Sequence, residues 1–110
     1  MEPRLRSKLW IDAEIRRCAS TGTIAVVARR GDPDAGQILL KVNRFAAGCV
    51  VYSRATGIDG ERLWLAATGP APVAEPDADA YIARQADRDP DLWVLEIEDP
   101  HSRHVVPDAM

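Results

Sequence analysis

The chain holds two histidines, His101 and His104, three residues apart and just after Asp99. Two imidazoles and a carboxylate at such spacing could hold zinc with one position left open. Motifs this short match by chance, and the segment carries Pro100 and Pro107 with no second ligand pair in view. A solvated tail is the expected state, and no metal site is assigned. The two cysteines, Cys18 and Cys49, fall on apolar faces by pattern, one in a predicted helix and one in a predicted strand. A buried cysteine is ordinarily a small inert hydrophobe, so neither is read as a working thiol.

Carboxylates are plentiful, yet Asp32/Asp34 and Asp89/Asp91 flank prolines, where such side chains bond the backbone of their own turn. Paired acid–base catalysis would need a pocket that drives two pKa values apart. Gly31 and Gly36 bracket two aspartates, which would repel a phosphate rather than cradle it. No motif presents a serine nucleophile, and Arg30-Gly31-Asp32 matches an integrin-type tripeptide by coincidence. The remaining cluster is cationic: Arg29, Arg30, Lys41 and Arg44. If their strands pair across the 31–36 loop, the four share one rim that could seat phosphate, nucleic acid or an acidic protein. The preferred reading instead pairs Arg29 and Lys41 with Glu96 and Glu98 on one sheet face. Three Trp, two Tyr and one Phe give few rings to stack on bases, so nucleic acid is not the expected partner.

The elements that must position these residues are legible in outline. Ser7 can cap a helix over about Lys8–Ala19, with Leu9, Ile11, Ala13, Ile15, Cys18 and Ala19 on one arc and Glu14 and Arg17 toward water. Runs rich in Val, Ile and Leu predict strands at Thr23–Arg30 and Gln37–Phe45. The Gly31–Gly36 segment between them reads as an exposed hairpin loop, with Gly36 at positive φ. Strands at Cys49–Arg54 and Arg62–Thr68 follow, then Gly69–Pro76 as an extended crossover. A second helix runs from Pro76 or Asp77 to Arg88, and Leu92–Glu98 is the last strand. The order helix, four strands, helix, strand predicts an α+β fold, a mostly antiparallel sheet of about five strands with two helices. It leaves the direction of the last strand open.

Alternation then sorts the faces. Trp93, Leu95 and Ile97 point to the core, as do Leu63 and Leu65, which turns Trp64 outward. The ion-pair argument puts Arg29 and Lys41 outside, with Val27 and Leu39. Two helices are taken to cover one side of the sheet, so Val27, Leu39, Trp64 and Val94 would form an exposed face. It would dock a homodimer mate or another protein, with Trp64 as anchor. The competing reading lays the 69–76 crossover and the C-terminal tail over that face.

Composition bounds the rest. With 110 residues, 46% apolar and 28% charged, the expected organisation is one domain, 1–110, with a compact core over about 5–99 and a tail over 100–110. The totals exclude a disordered chain, a collagen-like repeat and a disulfide scaffold. The longest apolar run, Ile24–Ala28, is five residues, far short of the roughly 20 that span a bilayer. The start MEPRLRSKLW lacks a signal-peptide core, so a cytoplasmic protein with no membrane contact is expected. Residues 1–44 carry nine basic and five acidic side chains, and residues 45–110 five and twelve. The halves are read as attracting one another within the fold. Arg outnumbers Lys twelve to two, a genomic bias that weakens any phosphate argument.

Val26-Val27-Ala28-Arg29-Arg30-Gly31-Asp32-Pro33-Asp34-Ala35-Gly36, then Lys41-Val42-Asn43-Arg44, form one half of a recognisable pattern. Gly60–Trp64, Asp79–Gln85 and the run Asp89-Pro90-Asp91-Leu92-Trp93-Val94-Leu95-Glu96-Ile97-Glu98-Asp99 form the other. Together they resemble the small bacterial family known as domain of unknown function 1491, over most of residues 5–99. Arg88 departs from the aromatic residue expected there. The resemblance implies a compact cytoplasmic α+β domain and carries over no activity, cofactor or catalytic residue. The expected function is therefore a non-enzymatic protein-interaction or accessory module without cofactor. The alternative is a phosphate or small-ligand protein, or an enzyme, using Arg29, Arg30, Lys41 and Arg44. A nucleic-acid binder ranks third.

Overall fold

In the computed structural model, which describes residues 6–106, the regular elements are α1 (Ser7–Ser20), β1 (Ile24–Arg29), β2 (Ile38–Asn43), β3 (Cys49–Thr56), β4 (Arg62–Ala66), α2 (Glu75–Arg88) and β5 (Trp93–Glu98), with a 3-10 turn at Phe45–Ala47. The fold is α+β, in the expected element order. Residues 1–5 and 107–110, the ends of the expected 1–110 domain and of its tail, lie outside the described residues.

The strand order is β1-β5-β2-β3-β4, with β5 antiparallel to β1 and parallel to β2. The sheet is therefore mixed, and β1 and β2 do not form the expected hairpin. The 31–36 segment is long enough to step over one intervening strand, since two strand spacings come to roughly 10 Å. The loop consequently crosses the start of β5: the Asp32 amide donates to the Asp91 carbonyl (3.0 Å), and the Trp93 indole donates to the Asp32 carbonyl (2.6 Å). A Cβ at Gly31 or Gly36 would collide with the Asp91 carbonyl oxygen. Gly36 is buried and outside the positive-φ region. Its requirement is close backbone approach, not the left-handed conformation expected from the turn.

The same loop receives the start of α1. The Lys8 amide donates to the Pro33 carbonyl (3.0 Å), and the Ser7 hydroxyl donates to the Gly36 carbonyl (2.6 Å). Ser7 is thus the first helical residue, tied across to the loop, rather than a cap on its own helix.

One helix lies on each face of the sheet, contrary to the expectation that both share a side. Trp10, Ile11 and Cys18 of α1 pack with Ile38, Leu40, Val42, Trp93, Leu95 and Ile97. Ala78 of α2 packs with Leu39, Cys49, Val51, Leu92 and Val94. The parallel register Ile38↔Trp93, Leu40↔Leu95, Val42↔Ile97 explains the split, because alternate residues of both strands are apolar. The proposed outer face of Val27, Leu39, Trp64 and Val94 therefore does not exist as a unit. Leu39 and Val94 are buried under α2. Trp64 packs on the α1 side, its ring 5.3 Å from that of Trp10. Val27 pairs with Leu95 on the exposed edge strand. In β4 the expected alternation is inverted, with Leu65 exposed while Trp64 joins the core cluster.

Candidate functional site

Helix α1 places Glu14 and Cys18 one turn apart on the face that also carries Trp10 and Ile11. Glu14, expected in water, is 4% exposed. A carboxylate tolerates that burial only with charge and hydrogen-bond partners. Arg17 supplies both: its Nε donates to one oxygen and its Nη2 to the other, each at 2.7 Å. His104 supplies a third bond, with Nε2 at 2.9 Å from the Glu14 Oε2.

His104 reaches this position because the chain after β5 turns back. The Asp99 carboxylate, fully buried, accepts the amides of Arg103 (2.7 Å) and His104 (3.0 Å). Asp99 is thereby used as a turn cap, while His101 stays exposed, so the three do not assemble. The expectation of a solvated tail fails at His104, which is 7% exposed. Arg17 holds the same segment by donating from Nη2 to the Val105 carbonyl (2.7 Å).

Burial alone would push the His104 imidazole down, but hydrogen bonding with Cys18 and Glu14 outweighs it and carries the group up to about 9. Burial likewise works against the Glu14 carboxylate, yet the bonds from His104 and Arg17 hold it below the usual range. Near neutral pH the imidazolium donates to Glu14. The Arg17 Nη2, 3.2 Å from the same His104 nitrogen, is then a second cation gathered on one carboxylate. Glu14, Cys18 and His104 each offer a ligand atom within 4.8 Å of the others.

His104 also lines a cleft of about 450 Å³ with Arg44, Tyr52, Leu63, Trp64, Leu65 and Val106. Among the described residues, three buried nitrogens of this lining lack a hydrogen-bond partner: Arg44 Nε, Trp64 Nε1 and His104 Nδ1. The Arg44 Nε is 3.7 Å from an Asp99 oxygen, an ion-pair contact without a hydrogen bond. The cleft thus has apolar walls, and three of its lining residues carry buried nitrogens that could turn toward a ligand with an acceptor-rich end.

The four-cation rim is not assembled. Arg29 and Arg30 lie at the end of β1 that is level with the start of β2, whereas Arg44 follows the opposite end of β2, and β5 stands between the two strands. Arg29 donates to the Pro90 carbonyl (3.4 Å), and the Arg30 guanidinium lies 5.5 Å from the Trp93 ring centre. Lys41 is buried against Glu75 (2.7 Å), Asp79 (2.8 Å) and Glu96 (3.4 Å). Arg44 alone of the four reaches the cleft. Sequence reasoning missed Glu14, Tyr52 and the role of His104. The available signal was the spacing of Glu14 from Cys18 on a helix face, but nothing local marks their partner 86 residues further along.

The sequence profile described as "Protein of unknown function (DUF1491)" matches residues 5–107. The crystal structure of a DUF1491 family protein from Caulobacter crescentus CB15, at 1.87 Å resolution, is similar with a TM-score of 0.85 and 43% identity, covering 96% of this chain and 98% of that one. An NMR structure of a DUF1491 family protein from the same organism gives 0.81 and 42%, covering 98% and 97%. A solution structure of a protein from A. tumefaciens gives 0.72 and 26%, covering 87% and 86%. No curated protein matches the chain. No helix of the described residues is long and apolar enough to cross a membrane.

Proposed function

The chain belongs to the DUF1491 family, and we propose that it is a binding protein whose cleft between β4 and the returning C-terminal segment takes a small molecule with an anionic head on an apolar body. The observation that carries this reading is the set of three buried nitrogens without a hydrogen bond, on Arg44, Trp64 and His104, residues that line one cleft. Buried donors are almost always paired, and a ligand's carboxylate or phosphate would pair them. Tyr52, Leu63, Leu65 and Val106 would hold the apolar part. Binding rather than catalysis fits the one thiol beside a histidine, Cys18, being fully buried. This moves the small-ligand role from the dispersed rim of Arg29, Arg30 and Lys41 to a site that keeps Arg44.

The test is a thermal-shift panel of inorganic phosphate, nucleotides, short fatty acids and aromatic carboxylates. A ligand at one hundred times its Kd stabilises by about 2.7 kcal/mol, on the order of 10 °C for a domain of this size. Arg44→Gln and Trp64→Phe should each remove the shift measured against the variant's own unliganded melt. Absence of any shift across the panel would reject the reading.

A protein contact is the second reading, favoured by the apolar Ile24 and Val26 on the outer side of edge strand β1, 58% and 49% exposed. Such an edge is a template for a partner strand. Light scattering of the wild type beside Val26→Lys tests self-association there.

A further inference from the structure

We propose that Glu14, Cys18 and His104 form a binding site for a zinc-class divalent metal ion. The proposal is independent of the ligand reading of the cleft. Its basis is the convergence of three different ligand types. A carboxylate and a thiol stand one helical turn apart, and an imidazole arrives from the far end of the chain. All three residues are buried, with side-chain exposures of 3% for Glu14 and 1% for His104, and Cys18 at 0%. Their ligand atoms lie within 4.8 Å of one another. Ligand atoms around tetrahedral zinc are roughly 3.5 Å apart, so the Cys18 sulfur has to draw in by about one ångström at most while the His104 and Glu14 atoms, 2.9 Å apart, open slightly, both side-chain adjustments.

The chemistry suits the charge. A thiolate, a carboxylate and a neutral imidazole bring two negative charges to a doubly positive ion, so the filled site is neutral and its burial is tolerable. Binding releases the thiol proton of Cys18 and the proton that His104 shares with Glu14, and both leave to solvent. The backbone that carries the imidazole is held in place, while the ring's Nδ1 has no hydrogen bond. Asp99 fixes the backbone of residues 103 and 104, which is the kind of support a ligand loop needs.

Arg17 is the competitor. Its guanidinium spans both Glu14 oxygens and approaches His104. It is a cation already seated at the cluster, but its side chain is 40% exposed and can swing into solvent. This gives the proposal an outcome that a merely structural cluster would not produce: removing Arg17 strengthens metal binding.

The full chain, stripped with chelator and kept reduced, is titrated with Co2+ and followed by absorption. The expected result is one equivalent bound, with a thiolate-to-cobalt charge-transfer band, tetrahedral visible bands, and displacement by Zn2+. Cys49→Ser keeps the band, and Cys18→Ser loses it. His104→Gln weakens binding on the order of tenfold or more, and Arg17→Met strengthens it by about tenfold. The wild-type spectrum reads thiolate ligation directly, so the test survives a Cys18 variant that fails to fold. No charge-transfer band in the wild type overturns the proposal, even if Arg17→Met shows one, because the native guanidinium then excludes the metal. A band that survives Cys18→Ser and vanishes in Cys49→Ser overturns it as well.

Discussion

Glu14 and Lys41 are buried charges solved in different ways, and their pH behaviour separates them. His104, carried up to about 9 beside Glu14 and Cys18, binds its proton more tightly folded than unfolded. Its contribution is therefore fully present below the ordinary histidine value of 6.5 and is lost as pH rises toward 9. In metal-free protein, urea stability should fall across that window by on the order of 1–3 kcal/mol. His104→Gln should flatten the profile, and a wild-type profile already flat from pH 6.5 to 9 would contradict the assignment. Lys41 is also raised, because the bonds to Asp79 and Glu75 outweigh its burial. That contribution is present below the ordinary lysine value and lost only above it, so it is constant near neutrality. Lys41→Met should cost about 1–2 kcal/mol, less than a fully buried pair, since Glu75 and Asp79 are about half exposed and return to water. The cost should be the same at pH 6 and pH 9 in denaturant melts. The preferred sequence reading placed Lys41 with Glu96, and that contact is present. Its stronger partners on α2 were not legible, because no local signal says which face a crossover helix will cover.

At the scale of elements, the runs of Val, Ile and Leu and the proline-marked breaks located every helix and strand to within about two residues at most ends. Pairing was harder. Nearest-neighbour logic favours a β1–β2 hairpin, but β5 inserts between them, a choice set by tertiary contacts of the 31–36 loop rather than by its turn residues. Gly36 illustrates the difference. A turn argument demands positive φ, whereas packing demands the absence of a side chain, since a Cβ would meet Asp91, Asp32 and Trp93. Gly36→Ala, which costs about 1 kcal/mol in an open turn at positive φ, should here cost about 2–3 kcal/mol, because the added Cβ collides with the Asp91 carbonyl. A chemical melt within about 0.5 kcal/mol of wild type, the range of ordinary surface substitutions, would contradict the close approach. The two faces misled for a related reason. The second face of β2 and β5 mixes Leu39 and Val94 with Lys41, Glu96 and Glu98, so the charges marked it as outer although α2 covers it, and in β4 Leu63, Trp64 and Leu65 are apolar on both sides.

At the scale of the molecule, the C-terminal return ties the sheet to α1 and makes the candidate site. Asp99 turns the chain, His104 and Val105 accept or donate to α1, and Val106 packs beside the cluster that contains Trp10. None of this follows from the Pro-flanked sequence itself, which reads as a solvated end because its partners lie at residues 14, 17 and 18. The arrangement makes the thiols report on the return. Cys18 and Cys49 are both free and buried, but only Cys18 lies in the cluster with His104, while Cys49 bridges to Val73 on the other side of the sheet. Truncation after Pro100 should uncover Cys18, leave Glu14 with Arg17 alone, and leave Cys49 shielded by the 69–76 crossover. A thiol reagent should then label one cysteine rapidly in the truncated protein and none rapidly in the full chain, with peptide mapping assigning the label to Cys18. The loss of the His104 bond to a buried carboxylate should lower stability by about 1–3 kcal/mol. Equal labelling rates in the two proteins would mean that local opening of α1, rather than the returning segment, controls access to the cluster.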